Sequence, residues 1–458
     1  MSQILNGQSD LGRAKIRLLR VCPPPPHLEE FRSSQALDSK SFETQISFLR
    51  KENLLLPGGW AEAMAQEGFE VFETICNDAS LQESWARENG VAVDHAGTDF
   101  SLQVLIEQIR AMQPEIIFIY AGALVRLPRD VRNAMRAVCS GRVIVTGFWG
   151  DELPKSISNY EEFLGDLDLV FCANSSYEKT IRKAGISVFN LGNCFDDTIT
   201  FERPVRKTHD FVFCGTSGYG YQDHIQRYEQ LKQLMARTGL EIWANEPEIS
   251  RFTLLFAKPI IGFLSCLPAR ILLFAEKAAM KLGISKLARA AQHGLRNKQS
   301  TGGMATMLGG LSHPKKNYFV GRKSLHTLYP NRVHGQMPKC GDYYSLLAKS
   351  NLVLNIHRDE EADFGNIRCF EATGLGTCLV TDRGAELAEF FDVENDIVTF
   401  ETVEECVAKI SRLLSQPSEI ARIAANGQQA TLSRHTVAHR CKVVAKKLRM
   451  SQVETSLR

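Results

Sequence analysis

Residues 351–389 read NLVLNIHRDEEADFGNIRCFEATGLGTCLVTDRGAELAE, and they hold the densest set of groups able to do chemistry in the chain. Arg368 stands three residues before Glu371, one helical turn, so a helix over IRCFEATGLGT turns both toward one pocket. A carboxylate accepts two hydrogen bonds at once, which suits neighbouring hydroxyl groups, and a guanidinium donates to phosphate through a planar fork. Gly365 and Asn366 stand where that helix begins and bring backbone amides, the donors an anion seeks. His357 and Arg358 leave the preceding apolar run directly. Asp363 lies eight positions before Glu371, in an acidic run, DEEAD, that reads equally as a solvated loop.

These groups need a scaffold, and the same stretch supplies one. Residues 351–356 form a short apolar run typical of a buried parallel strand, and residues 379–381 form a second, with the loop and helix between them. Strand, loop, helix, strand is a βαβ unit, and open parallel sheets bind ligands at the loops leaving the carboxyl ends of their strands.

Earlier in the chain the same alternation recurs. KIRLLRV, FEVFETI, EIIFIYAG, RVIVTGFWG, LDLVFCANS and ISVFNLGN read as strands separated by helical periodicity. The charged segment ERPVRKTHD then marks a linker, and DFVFCGTSGYGY and LEIWAN open a second series, resumed at NYFVG. Helices are expected over residues 401–414 and 417–427, with a basic helical tail after them. The fold expected is α/β, with two Rossmann-like doubly wound parallel-sheet domains. Residues 15–205 form the first, residues 206–430 the second with an insertion at 251–315, and 431–458 the tail, after a disordered 1–14. Gly215 and Gly218, in GTSGYGY, leave a strand of the second domain. Trp149 and Asp151, in FWGDELP, leave a strand of the first. The latter pair suits a second substrate, although Asp151 is equally suited to cap a helix.

The pattern GDYYSLLAKSNLVLNIHRD…RCFEATGLGTCLVTDRGAELAEFF resembles the spore-maturation-protein-B (CgeB-like) branch of the GT-B glycosyltransferases. Asp363 and Glu371 match the E-x7-E signature of the retaining enzymes with Asp in first place, and HTVAHR extends the likeness toward the C-terminus. The resemblance implies two domains facing a cleft and transfer of a sugar from a nucleotide-sugar donor to a cell-envelope or surface glycan, with retention. It implies no metal and no other cofactor. Glu371 takes the ribose hydroxyls, Arg368 the leaving diphosphate, and Asp363 the region near the anomeric carbon, a place open also to Glu360 or Glu361. His357, Arg358, Gly215, Gly218, Gly365 and Asn366 complete the donor site, and Trp149 and Asp151 meet the acceptor. A catalytically silent GT-B nucleotide-sugar-binding or scaffold protein, and a nucleotide-sugar epimerase, are the alternatives.

Composition fits this reading. A chain of 458 residues, 44% hydrophobic and 23% charged, has the make-up of a soluble globular protein with two cores. A formal charge of +2 offers no general attraction to nucleic acid. Twelve cysteines lie singly, without CxxC spacing, which favours a reducing cytoplasm over a disulfide framework or a zinc site. The first residues, MSQILNGQSDLGRAK, contain no apolar signal core. Residues 251–298 depart from the average: about nine Lys or Arg face Glu276 alone among many Leu, Ile and Phe. Pro259, Pro268 and the lysines interrupt any spanning run. A basic amphipathic segment of this kind suits the anionic inner face of a membrane, or packing on its own domain or a partner subunit.

Overall fold

The computed structural model describes residues 15–25, 28–93, 100–151, 153, 157–201, 204–219, 224–246, 322–335, 337–357, 365–384 and 386–456. The NYFVG strand, the basic stretch 251–315 and residues 1–14 lie outside the described residues. The chain divides into two compact units, residues 1–152, 159–199 and 434–458 against 153–158 and 200–433.

In the first unit six strands, β1 (Ile16–Cys22), β2 (Phe69–Ile75), β3 (Ile116–Tyr120), β4 (Ile144–Trp149), β5 (Leu169–Cys172) and β6 (Val188–Asn190), form one sheet in the order β2-β1-β3-β4-β5-β6. Every pair is parallel, with Leu19 beside both Phe72 and Ile117. Leu18, Ile116, Phe118 and Phe171 are fully or nearly fully buried in its core. The tail belongs to this unit. Its helix Val437–Ser456 buries Val437, Cys441, Val444 and Leu448 against Trp60, Met64 and Phe69. Arg440 Nη2 donates to the Asn193 carbonyl at 2.8 Å, and Phe195 N donates to the His435 carbonyl at 2.9 Å, so HTVAHR pins the tail.

A second parallel sheet organises the other unit: β7 (His209–Cys214), β8 (Glu241–Trp243), β9 (Val333–His334), β10 (Ser350–Asn355), β11 (Cys378–Asp382) and β12 (Val398–Phe400), in the order β12-β11-β10-β7-β8-β9. All of its pairs are parallel too. Phe211, Phe213, Leu352, Leu354 and Val380 form its core with Leu231 and Leu234 of the helix Ile225–Arg237. Burying one such side chain is worth about 1.5–3 kcal/mol. The chain leaves β7 toward β8 and β9, then returns to β10 and runs the other way. The order therefore reverses between β7 and β10, and the crevice at the carboxyl ends of those two strands is the topological switch point.

Two Rossmann-like units with six-stranded parallel sheets make the GT-B fold expected from the sequence. Boundaries differ in instructive places. The helix Pro417–Arg434 does not end at Gly427 but runs through it, and the position is glycine because a Cβ there would strike the Asp396 carbonyl. β9 has two residues, too few for periodicity to register. Cys172, Cys214 and Cys378 are buried free thiols, small hydrophobes of the sheets.

Candidate functional site

At the switch point of the second unit, β7 ends at Cys214 and leads into Gly215, and β10 ends at Asn355 and leads into Ile356 and His357. Arg227, buried on the helix after the β7 loop, ties the two ends together. Its Nη2 donates to the Ile356 carbonyl at 2.9 Å and its Nη1 to the Thr216 carbonyl at 3.4 Å. Ser217 Oγ donates to Glu246 at 2.7 Å, fixing the loop from its other side. Gly218 has φ +85°, and a Cβ there would run into the His224 carbonyl and lie 3.0 Å from the Tyr228 amide. Only glycine lets this loop fold back on the start of the next helix.

The helix Ile367–Gly374 faces that loop. Phe370 and Ala372 bury into the unit while Arg368 stays half-buried beside Gly215; a Cβ on Gly215 would lie 2.9 Å from Arg368 Nη1. The guanidinium sits 5.9 Å from the Phe213 ring and 5.9 Å from the Tyr343 ring. Its Nε donates to Tyr343 Oη at 3.3 Å, and Tyr343 Oη donates to Glu371 Oε2 at 2.6 Å. Among the described residues no carboxylate forms an ion pair with Arg368. Burial disfavours its charge, but Tyr343, Cys214 and Glu371 outweigh that and raise its pKa. Glu371 is 8% exposed, and burial pushes its carboxyl above the ordinary range although Tyr343 and Arg368 pull it down.

The helix start is open. Asn366 has the extended backbone of an N-cap residue, φ −63° and ψ 166°, yet its side chain does not cap. Its Nδ2 donates instead to Asn355 Oδ1 at 3.1 Å, and Asn355 Nδ2 in turn donates to Thr381 Oγ1 at 3.1 Å. The first amides of the helix, on Ile367 and Arg368, are left without acceptors among the described residues. Unpaired amides and the positive end of the helix dipole draw an anion.

His357, 2% exposed, closes the network. Its backbone N–H donates to Asp382 at 3.0 Å, its Nδ1 pairs with Asp382 Oδ1 at 2.6 Å, and Gly365 N–H donates to its Nε2 at 3.2 Å. The Gly365 contact asks for a lone pair on Nε2, whereas the Asp382 contact at Nδ1 favours the charged ring. Burial works against the charged ring, but Asp382 and then Cys369 outweigh it and push the imidazole up to about 10. Protonation would turn Nε2 into a donor and break the Gly365 contact.

The structure therefore gathers Arg368, Glu371, Gly215, Gly218, His357 and Asn366 at one switch point. Gly365 differs from its expected use, since it directs its amide to His357. Asp363 and Arg358, with Glu360 and Glu361, lie outside the described residues. In the first unit Trp149 is buried and meets Phe163 edge-on at 4.8 Å, its indole N–H without an acceptor among the described residues, while Asp151 is exposed. Tyr343, Asn355, Arg227 and Asp382 are the members sequence reading left unassigned. Tyr343 lay inside the matched GDYYSLL segment, which was its signal. No group of three or more potential metal ligands is assembled among the described residues.

Residues 299–446 match a family model described as glycosyl transferase-like. No curated protein matches the sequence. Solved structures similar to this chain include HepE of Anabaena in complex with UDP-glucose, at 12% identity over 95% of this chain and 100% of that one, with a TM-score of 0.49. Sucrose-phosphate synthase of Thermosynechococcus elongatus is similar at 10% identity, 97% and 99% coverage and 0.47. A glycosyltransferase of Rickettsia africae is similar at 10% identity, 96% and 98% coverage and 0.47. The match over residues 299–446, in a chain built of two Rossmann-like units, supports a place in the GT-B glycosyltransferase superfamily.

Proposed function

We propose that the second unit binds a nucleotide-sugar donor at its switch point and that the protein transfers the sugar to a cell-envelope or surface glycan. The observation behind this reading is Arg368, a half-buried cation without a carboxylate partner among the described residues, at an uncapped helix start. A diphosphate supplies the missing acceptors. Its oxygens take the Ile367 and Arg368 amides and the guanidinium, and the Glu371 carboxylate accepts from the ribose hydroxyls.

In the retaining mechanism proposed, the bond between the anomeric carbon and the diphosphate oxygen breaks as the acceptor oxygen bonds to the same face. The acceptor proton passes to the departing phosphate. Arg368 and the helix amides stabilise the charge that develops there, and Asp363 stabilises the positive charge on the sugar. Trp149, whose buried N–H lacks a described acceptor, and Asp151 are assigned to the acceptor. We assign no metal and no other cofactor, and no nucleic-acid partner. The CgeB-like branch is the proposed lineage, inferred from the pattern GDYYSLLAKSNLVLNIHRD…RCFEATGLGTCLVTDRGAELAEFF and from HTVAHR.

Among the described residues no helix is long and apolar enough to cross a membrane. The basic composition of residues 251–298 supports peripheral attachment to the anionic inner face, where a lipid-linked acceptor would be met. Unchanged co-sedimentation with anionic liposomes after deletion of residues 251–300 would sink that part.

The donor reading is tested by thermal unfolding of the purified protein against UDP-, GDP-, dTDP- and CMP-sugars. A donor present at 100 times its Kd adds about 2.7 kcal/mol of stability. One base is expected to stabilise far more than the others, and a flat response across the panel contradicts the assignment.

A further inference from the structure

Side chains three residues apart on a helix are neighbours, and an Arg and a Glu so placed commonly pair. Arg368 and Glu371 do not pair; both turn to Tyr343, on the neighbouring helix Cys340–Ala348. The phenol oxygen accepts from Arg368 Nε at 3.3 Å and donates its own proton to Glu371 Oε2 at 2.6 Å. The aromatic ring also flanks the guanidinium, 5.9 Å from it.

We propose that Tyr343 is a positioning residue that holds Arg368 and Glu371 apart, so that each charge serves a ligand rather than the other. The inference rests on the donor site proposed above, and it assigns the two charges separately, Arg368 to a diphosphate and Glu371 to a vicinal diol. A direct ion pair would spend both. The guanidinium fork would be satisfied by carboxylate oxygens, and the carboxylate would keep little capacity for hydroxyl donors. With the phenol between them, Glu371 accepts from Tyr343 at Oε2 and is hydrogen-bonded by Tyr344 as well, without engaging the guanidinium, while Arg368 uses only Nε and keeps both Nη groups. Burial holds the Tyr343 hydroxyl well above its ordinary pKa, so it remains a proton donor throughout the physiological range.

Tyr343→Phe preserves the ring and removes the separator. Two measurements read the consequence. The first needs no ligand: a double-mutant cycle of Arg368→Met and Glu371→Gln, scored by denaturant unfolding, gives their coupling in each background. That coupling is expected to be small with Tyr343 and clearly larger with Phe. The second uses inorganic pyrophosphate, which has no ribose and so bypasses any direct part played by Glu371. Its Kd should rise about tenfold in Tyr343→Phe, a loss of about 1.4 kcal/mol. It should recover in Tyr343→Phe/Glu371→Gln, where Arg368 is released. A merely structural tyrosine would not show that rescue. Unchanged coupling, or wild-type pyrophosphate affinity in Tyr343→Phe, overturns the role of Tyr343. Increased coupling in a protein whose wild type binds neither pyrophosphate nor any nucleotide overturns the donor-site reading and the ligand half of this proposal, while leaving the separation of charges standing.

Discussion

Replacing Arg368 with Ala isolates the phosphate half of the site. The guanidinium ends no ion pair when it leaves, and its one hydrogen bond among the described residues is the 3.3 Å contact to Tyr343. The fold should therefore tolerate the change, while Glu371, which Arg368 partly neutralises, moves further above its ordinary range. Hydrogen bonds to charged groups are worth about 1.5–3 kcal/mol. A pair of unit charges 4 Å apart at an effective dielectric of 20 sets a ceiling of about 4 kcal/mol. Because the side chain is half-buried, solvent screening argues for the lower part of that range. A loss of about 2 kcal/mol corresponds to roughly thirtyfold in Kd. The assay is calorimetric titration of the preferred nucleoside diphosphate and, separately, of its nucleoside. Arg368→Ala should weaken the diphosphate about thirtyfold and the nucleoside hardly at all. Equal losses for both would mean the pocket had collapsed, and no loss for the diphosphate would mean that Arg368 does not meet it; either result refutes the reasoning.

Three further outcomes follow from named contacts. The folded Glu371 carboxyl holds its proton more tightly than an unfolded one near 4.5, so its ionised form penalises the fold at neutral pH and the penalty fades in acid. Glu371→Gln should raise the melting temperature at pH 7, by an amount that shrinks toward pH 4, while donor affinity falls; a lower melting temperature at pH 7 contradicts this. His357, raised from 6.5 to about 10, adds stability that is full below 6.5 and lost as pH climbs through the folded value. Asp382→Asn should bring the His357 titration down in nitrogen-15 NMR and destabilise most below pH 6.5, and an unmoved titration would show that Asp382 is not its cause. Gly218→Ala forces a side chain into φ +85° against the His224 carbonyl, at a cost of about 2 kcal/mol or more, and an unchanged denaturation midpoint would contradict that geometry.

Much of the architecture could be read from the chain because parallel strands buried on both faces are continuous apolar runs. IIFIY, LVFC and the run through Leu352 and Leu354 announce themselves, and each is separated from the next by a helix. Local spacing also brought Arg368 and Glu371 together, since a helix fixes the direction of both. What escaped was contact between distant segments. Tyr343 meets Glu371 across 28 residues, Arg227 meets Ile356 across 129, and no local pattern encodes either encounter. Gly365 shows the same limit. Its position at a helix start suggested an amide offered to phosphate, but His357, held by Asp382 on the next strand, takes that amide. Gly427 looked like a helix end because glycine is a poor helix former, whereas the close approach of the Asp396 carbonyl demands it inside the helix.

Sugar transfer itself is tested most directly by release of free nucleoside diphosphate from the donor that best stabilises the protein, followed by chromatography for wild type and Glu371→Ala. Water can take the place of the acceptor hydroxyl, so the test does not require the acceptor. Steady release by wild type and loss of release in Glu371→Ala are expected. Equal release by the two proteins, or none from wild type with a donor that binds tightly, would contradict the proposed transfer.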